Sequence, residues 1–284
     1  MLKHWVRINA FLLGAALAAQ ESTALRSLAL GNKAIQEQHY AEALTHLEAA
    51  RGATALADYV GYLTAAARFE SGNYAQVEAA LHPVWNRTPA SPLAAKAAIL
   101  LANALLRSNE PARVAGVVRQ HAGILKPPEV ESLLAHAAEA QGDQAAALGH
   151  FQRILIENPL APEAADAEAD PTHLASLPPQ AHLARCMKLL DGDAAKARRE
   201  LEPLLPSHSG NDLDRARVKL GVVRYQLRDS AGAYQWLSSF QSASPELEAE
   251  RLYTLIRCVR RLDRAQDFGP NLDSLAAGHA RSGW

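Results

Sequence analysis

The 284-residue sequence predicts an all-helical fold built from one repeated helix pair, and three observations point there. Alanine and leucine supply most of the 49% hydrophobic content while aromatics contribute 6%; such side chains favour helix and let helices approach closely. No long stretch alternates apolar and polar residues as a half-buried strand would. A short turn followed by the same apolar pattern recurs down the chain, the mark of a repeat architecture.

The N-terminus comes first in order. Lys3 and Arg7 precede the apolar run Ile8–Ala19, and Ala16-Leu17-Ala18 offers small residues at the two cleavage positions. Residues 1–19 therefore read as a secretory signal peptide, too short for a stable membrane span, and imply a periplasmic mature chain. The competing reading is an ordinary first helix in an alanine-rich protein.

The clearest copies of the turn are Gln38–Ala43, Gly72–Val77 and Gly142–Ala147; weaker ones are Asn109–Val114, Gly192–Ala197 and Arg228–Ala233. Their third residues fall at 40, 74, 111, 144, 194 and 230, separated by 34, 37, 33, 50 and 36. All but one gap match the ~34-residue tetratricopeptide period. Small or short residues stand upstream, at Gly31, Ala65, Ala102, Ala135 and Gly221. A larger apolar residue follows each anchor by seven, at Leu47, Leu81, Val118, Phe151, Leu201 and Leu237. The small residue admits the partner helix and the large one fills the groove between them. Ser91-Pro92 and Ser244-Pro245 read as capping hydroxyls before a first-turn proline, and Lys126-Pro127-Pro128-Glu129 does similar work.

The fold class is thus a right-handed α-solenoid of tetratricopeptide-type helix-turn-helix repeats. Repeats 1–4 occupy residues 20–160 and repeats 5–7 residues 181–284. Between them, 161–180 is a Pro/Ala-rich connector, with a short helix near Glu163–Ala169 followed by extended chain; it is either a hinge or a longer loop. Leu247–Leu262 and Asp263–Ala277 form a seventh pair whose outer side, including Leu272 and Leu275, stays exposed. That open end expects a further domain or a partner chain to cover it.

Composition and motifs exclude several functions. The 29 Lys+Arg balance 30 Asp+Glu with no basic block, which disfavours nucleic acid. Phosphate-loop, nucleophile-elbow, zinc-protease and paired C-x-x-C motifs are absent, so no catalytic residue, cofactor or metal is assigned. His136 and His150 could meet across a helix pair, without a third ligand. Cys186 and Cys258 fall on different repeats and read as buried small hydrophobes. If first helices line the concave face, Asn32, Tyr59, Tyr62, Phe69, Asn103, Arg107, His136 and Tyr225 are the candidate binding residues; several could equally be inter-repeat filling. A peptide-carboxylate clamp fits poorly, since Leu28 stands where a lysine is expected.

The chain resembles the N-terminal superhelical region of bacterial soluble lytic murein transglycosylases. The similar segments are Ala57–Leu105, which contains Phe69–Tyr74 and Val84–Pro92, then Ala140–Ala164, and Ala249–Arg264 with Arg281–Trp284. The resemblance implies a non-catalytic platform binding peptidoglycan or envelope proteins, beside a separate lysozyme-like domain that cuts glycan strands. Glu21-Ser22, Glu70-Ser71 and Glu131-Ser132 lack the glycine-rich and Met-Gln segments around that family's catalytic glutamate. The alternative is a free-standing tetratricopeptide adaptor joining envelope proteins.

Overall fold

The structure is a computed structural model and describes residues 21–279 together with Ser282 and Gly283. The expected signal segment 1–19, and Arg281 and Trp284 of the resemblance, lie outside the described residues. Every regular element among the described residues is helical, and no helix there is long and apolar enough to cross a membrane. The chain divides into two compact units, Met1–His150 and Phe151–Trp284.

The first unit contains α1 (residues 21–36), α2 (Tyr40–Ala49), α3 (Ala57–Glu70), α4 (Val77–Ala80), α5 (His82–Trp85), α6 (Ala94–Arg107), α7 (Pro111–His121) and α8 (Pro127–Ala140). Helix α9 (Gln144–Glu157) carries the chain across the boundary. The second unit continues with α10 (Pro162–Ala167), α11 (Pro171–Ala175), α12 (Pro179–Leu189), α13 (Ala194–Leu204), α14 (Gly210–Gln226), α15 (Ser230–Ser238), α16 (Pro245–Arg261) and α17 (Ala265–His279). Within each unit a helix meets its successor and the helix after that, as α6, α7 and α8 do in the first and α14, α15 and α16 in the second.

The recurring turn has one geometry. Gln38, Gly72, Asn109, Gly142, Arg228 and Asp263 all take positive φ, from 55° to 79°, two residues before the next helical segment starts, which after Gly72 is a 3-10 turn at Tyr74–Gln76 leading into α4. The following amide donates back to the carbonyl five residues earlier: His39 to Ala34, Asn73 to Arg68, Glu110 to Leu105, Asp143 to Ala138, Asp229 to Arg224 and Arg264 to Val259, at 2.8–3.1 Å. This is the Schellman closure, which satisfies carbonyls that a helix end leaves unpaired. Gly192 departs from the pattern: its φ is not positive, and an added Cβ would come 2.7 Å from Leu160.

The contact register follows the sequence. Gly31, Ala65, Ala102, Ala135 and Gly221 are buried, as are Leu47, Leu81, Val118, Phe151, Leu201 and Leu237. A Cβ on Gly31 would lie 2.8 Å from Leu47 Cγ, and one on Gly221 would overlap Leu237. The second helix of the second repeat is broken into α4 and α5 because Pro83 cannot donate to the helical ladder.

Three expectations need correction, at the connector, Ser244 and Leu275. The connector is not extended: after α10, Asp170 accepts from the Thr172 amide at 2.8 Å and nucleates α11. Ser91 does form the expected cap-type bond ahead of α6, its hydroxyl accepting from the Leu93 amide at 3.2 Å while donating to Asp58 at 2.5 Å. Ser244 stands at the N-cap of α16 but makes no side-chain cap bond, because Asp214 and Glu248 hold the preceding loop through Ser242 and Ala243. Leu272 is 44% exposed, but Leu275 is only 9% exposed, packed with Leu237, Leu252 and Ile256. At Lys126 the expected cap forms, with Glu129 accepting from the Lys126 amide at 2.8 Å.

Candidate functional site

The eight candidate binding residues fall into different settings. Asn32, Tyr59 and Arg107 are exposed in the first unit. Tyr62 and Phe69 pack on the apolar cluster around Leu81 and Leu101, and Phe69 meets Tyr74 edge-on at 5.4 Å. Burial raises the Tyr62 hydroxyl above its ordinary pKa. Asn103 is half-buried, and His136 meets Glu139 on its own helix at 3.0 Å. His150 lies 2.7 Å from Glu131, so each histidine of the suggested pair has a glutamate beside it. Tyr225 belongs to the second unit and is buried.

Each unit also buries charge. In the first, Asp58 accepts from Ser91 and is ion-paired to Arg87, tying α3 to the chain ahead of α6. Burial opposes ionisation, but these two hydrogen bonds outweigh it and hold the carboxyl below its usual range. In the second, the fully buried Arg185 of α12 grips Glu200 of α13 through Nε at 2.8 Å and Nη2 at 2.9 Å. It also donates to the Leu155 carbonyl at 3.0 Å and to Glu168 at 2.5 Å, while Lys196 reaches both Glu168 oxygens.

His182, Cys186 and Glu200 bring ligand atoms within 4.8 Å of one another, a spacing a metal could use. The surroundings oppose it. Both Glu200 oxygens already accept from Arg185. Burial, followed by the Glu200 charge, pushes the Cys186 thiol up to about 12. A cation would have to displace a guanidinium and deprotonate that thiol, so the cluster is a closed ion network that joins helices. Cys258 is likewise a free, buried thiol, pushed by burial up to about 11.

The open chemistry lies at the ends of α14 and α16. Tyr253, Arg257, Arg260 and Arg261 recur at helical spacing and share one face of α16. The Arg257 and Arg261 guanidiniums lie 4.5 Å and 4.0 Å from the centre of the Tyr225 ring, and Arg257 lies 5.6 Å from that of Tyr253. Arg261 also donates to the Tyr225 carbonyl at 3.1 Å. These residues and Ile256 line a cavity of about 420 Å³. Among the described residues no carboxylate is ion-paired with any of the three arginines. Asp229, the nearby acid whose charge reaches Cys258, is engaged in capping α15 through the Gly232 amide at 2.9 Å.

No protein-family model matches the chain, and no curated protein matches it. Of the pocket, sequence reasoning singled out Tyr225 alone. The arginines were findable from their spacing, but the stretch around them was read only as the opening helix of a seventh pair.

Proposed function

We propose that the chain is a non-catalytic interaction scaffold: a right-handed α-solenoid of tetratricopeptide-type helix pairs, serving in the periplasm as the superhelical region of a lytic-transglycosylase-like protein in peptidoglycan turnover. The observation that carries the scaffold reading is the recurrent unit itself. The same left-handed turn residue and the same back-donated hydrogen bond return at repeat spacing, with small and large residues buried at matching positions. Such repeats present long side-chain surfaces rather than one enclosed reaction cavity. The deepest cluster of titratable groups, around Arg185, is satisfied internally and leaves no acid, nucleophile or base free to act there.

The cell-wall placement rests on the sequence resemblance and on the export-like N-terminus. It is tested by sedimenting the purified chain with peptidoglycan sacculi: saturable co-sedimentation without release of soluble fragments is expected. A chain that stays in the supernatant contradicts the cell-wall role and leaves the adaptor reading, which the half-exposed polar residues Asn103 and His136 would equally serve.

A further inference from the structure

We infer that the pocket formed by Tyr225, Tyr253, Arg257, Arg260 and Arg261 is a binding site for a multivalent oxyanion, a phosphate-bearing or polycarboxylate group, and that it recognises this group through its guanidiniums. This goes beyond the scaffold reading and does not depend on the cell-wall placement.

The pocket gathers three arginines in one place, whereas the arginines at the protein's buried networks and at its larger cavity are engaged. Arg185 and Arg251 are buried and carry carboxylate partners, and Arg113 and Arg224 are likewise ion-paired. The cavity beside α3 and α5, of about 540 Å³, includes Arg51 and Arg68, but Arg51 pairs with Glu48 at 2.7 Å and Arg68 donates to the Gln76 carbonyl at 2.9 Å. At the end of α16, three exposed positive charges converge with no carboxylate partner. Mutual repulsion makes that arrangement unfavourable unless an anion joins it.

Two of the arginines are also held in place. The Tyr225 ring and carbonyl fix Arg261, and the Tyr225 and Tyr253 rings fix Arg257, so less side-chain freedom is lost on binding. A planar guanidinium donates in pairs to phosphate or carboxylate oxygens, which favours a ligand with several oxygens over a monovalent ion. The cavity exceeds a lone anion and falls in the range that admits a small organic body.

A purely structural role is the competing explanation, since positive charge in the last turn of α16 also offsets the carbonyl end of the helix dipole. Arg260 separates the two. Among the described residues its side chain makes no hydrogen bond, ion pair or ring contact, so Arg260→Gln should fold normally.

The experiment is calorimetric titration of the full chain at low ionic strength with pyrophosphate and, separately, with citrate. One-site saturable binding of at least one probe is expected. It should weaken about tenfold or more in Arg260→Gln and in Arg257→Gln, and should be unchanged in Arg51→Gln at the other cavity. Binding of pyrophosphate alone assigns a phosphate source; binding of citrate alone assigns a carboxylate source. Saturation by neither probe, or equal affinity in wild type and Arg260→Gln, overturns the inference.

Discussion

The two units use the same turn and the same small-against-large contact, yet hold their helices together differently. The first relies on an apolar cluster running from Ala65 through Leu81, Leu101 and Val114 to Leu133 and a separate smaller one of Ala34, Ala43, Leu47 and Ala67, with Asp58 as its one strongly buried acid among the described residues. The second breaks its core into smaller apolar patches and joins them with buried charge. Arg185, Glu168, Glu200 and Lys196 link α10, α12 and α13, while Glu250 with Lys219 and Arg251 with Glu248 serve α14 and α16. Arginines also lie against aromatic rings there, with Arg224 5.0 Å from Trp236 and Arg264 4.3 Å from Tyr234. One repeat geometry thus tolerates two kinds of glue: apolar packing carries no titrating group, whereas the ionic kind depends on pH through its carboxylates.

One of the two largest expected effects breaks the ionic side. Arg185→Ala empties a fully buried site and takes the guanidinium from the half-buried Glu200 and Glu168, which keep only His182 and Lys196, and should destabilise the second unit by about 3 kcal/mol in denaturant unfolding. The first unit's counterpart is Leu81→Ala, which empties a fully buried site and should cost about 2–5 kcal/mol. Hydrogen exchange should locate each loss in its own unit, since repeats couple mainly to their neighbours.

Acid sharpens the contrast. Burial alone would raise the Glu200 pKa, but hydrogen bonds from His182 and Arg185 outweigh it and bring the group down to about 2 from an ordinary 4.5. A depressed folded value means the stabilisation is complete above the unfolded pKa and is lost as pH falls through the folded one. Stability of the second unit should therefore decline between about pH 5 and pH 2. Glu200→Gln should flatten that decline, measured as unfolding free energy against pH, while the smaller acid sensitivity contributed by Asp58 in the first unit persists.

What the sequence revealed follows from how local each signal is. The turns at Gln38, Gly72, Asn109, Gly142 and Arg228, and the Gly31–Leu47 and Gly221–Leu237 contacts, depend on residues within one helix pair, so their spacing carried them. The Arg185 network was invisible because its partners stand 15–30 residues away on other helices, and nothing local says which charges are buried together. Ser244 shows the same limit: a hydroxyl before proline suggests a cap, but Asp214 reaches in from an earlier helix and rearranges the local bonding, whereas Ser91 accepts from the Leu93 amide and donates to Asp58 as well. Leu275 was misjudged because Phe268 and Leu275 fold back onto the cluster of α15 and α16. Of the anion pocket, only Tyr225 was legible beforehand.

The contact register is the claim on which the scaffold reading stands, and four helical glycines test it directly. Gly31 and Gly221 face Leu47 and Leu237, whereas an added Cβ at Gly116 or Gly149 meets nothing within 4 Å. Equilibrium unfolding of the four alanine variants should split by sign. Gly31→Ala and Gly221→Ala are expected to destabilise by about 1–3 kcal/mol through overpacking. Gly116→Ala and Gly149→Ala are expected to stabilise by about 0.5–1 kcal/mol through helix propensity. Stabilisation by all four would contradict the register and, with it, the tetratricopeptide-type pairing.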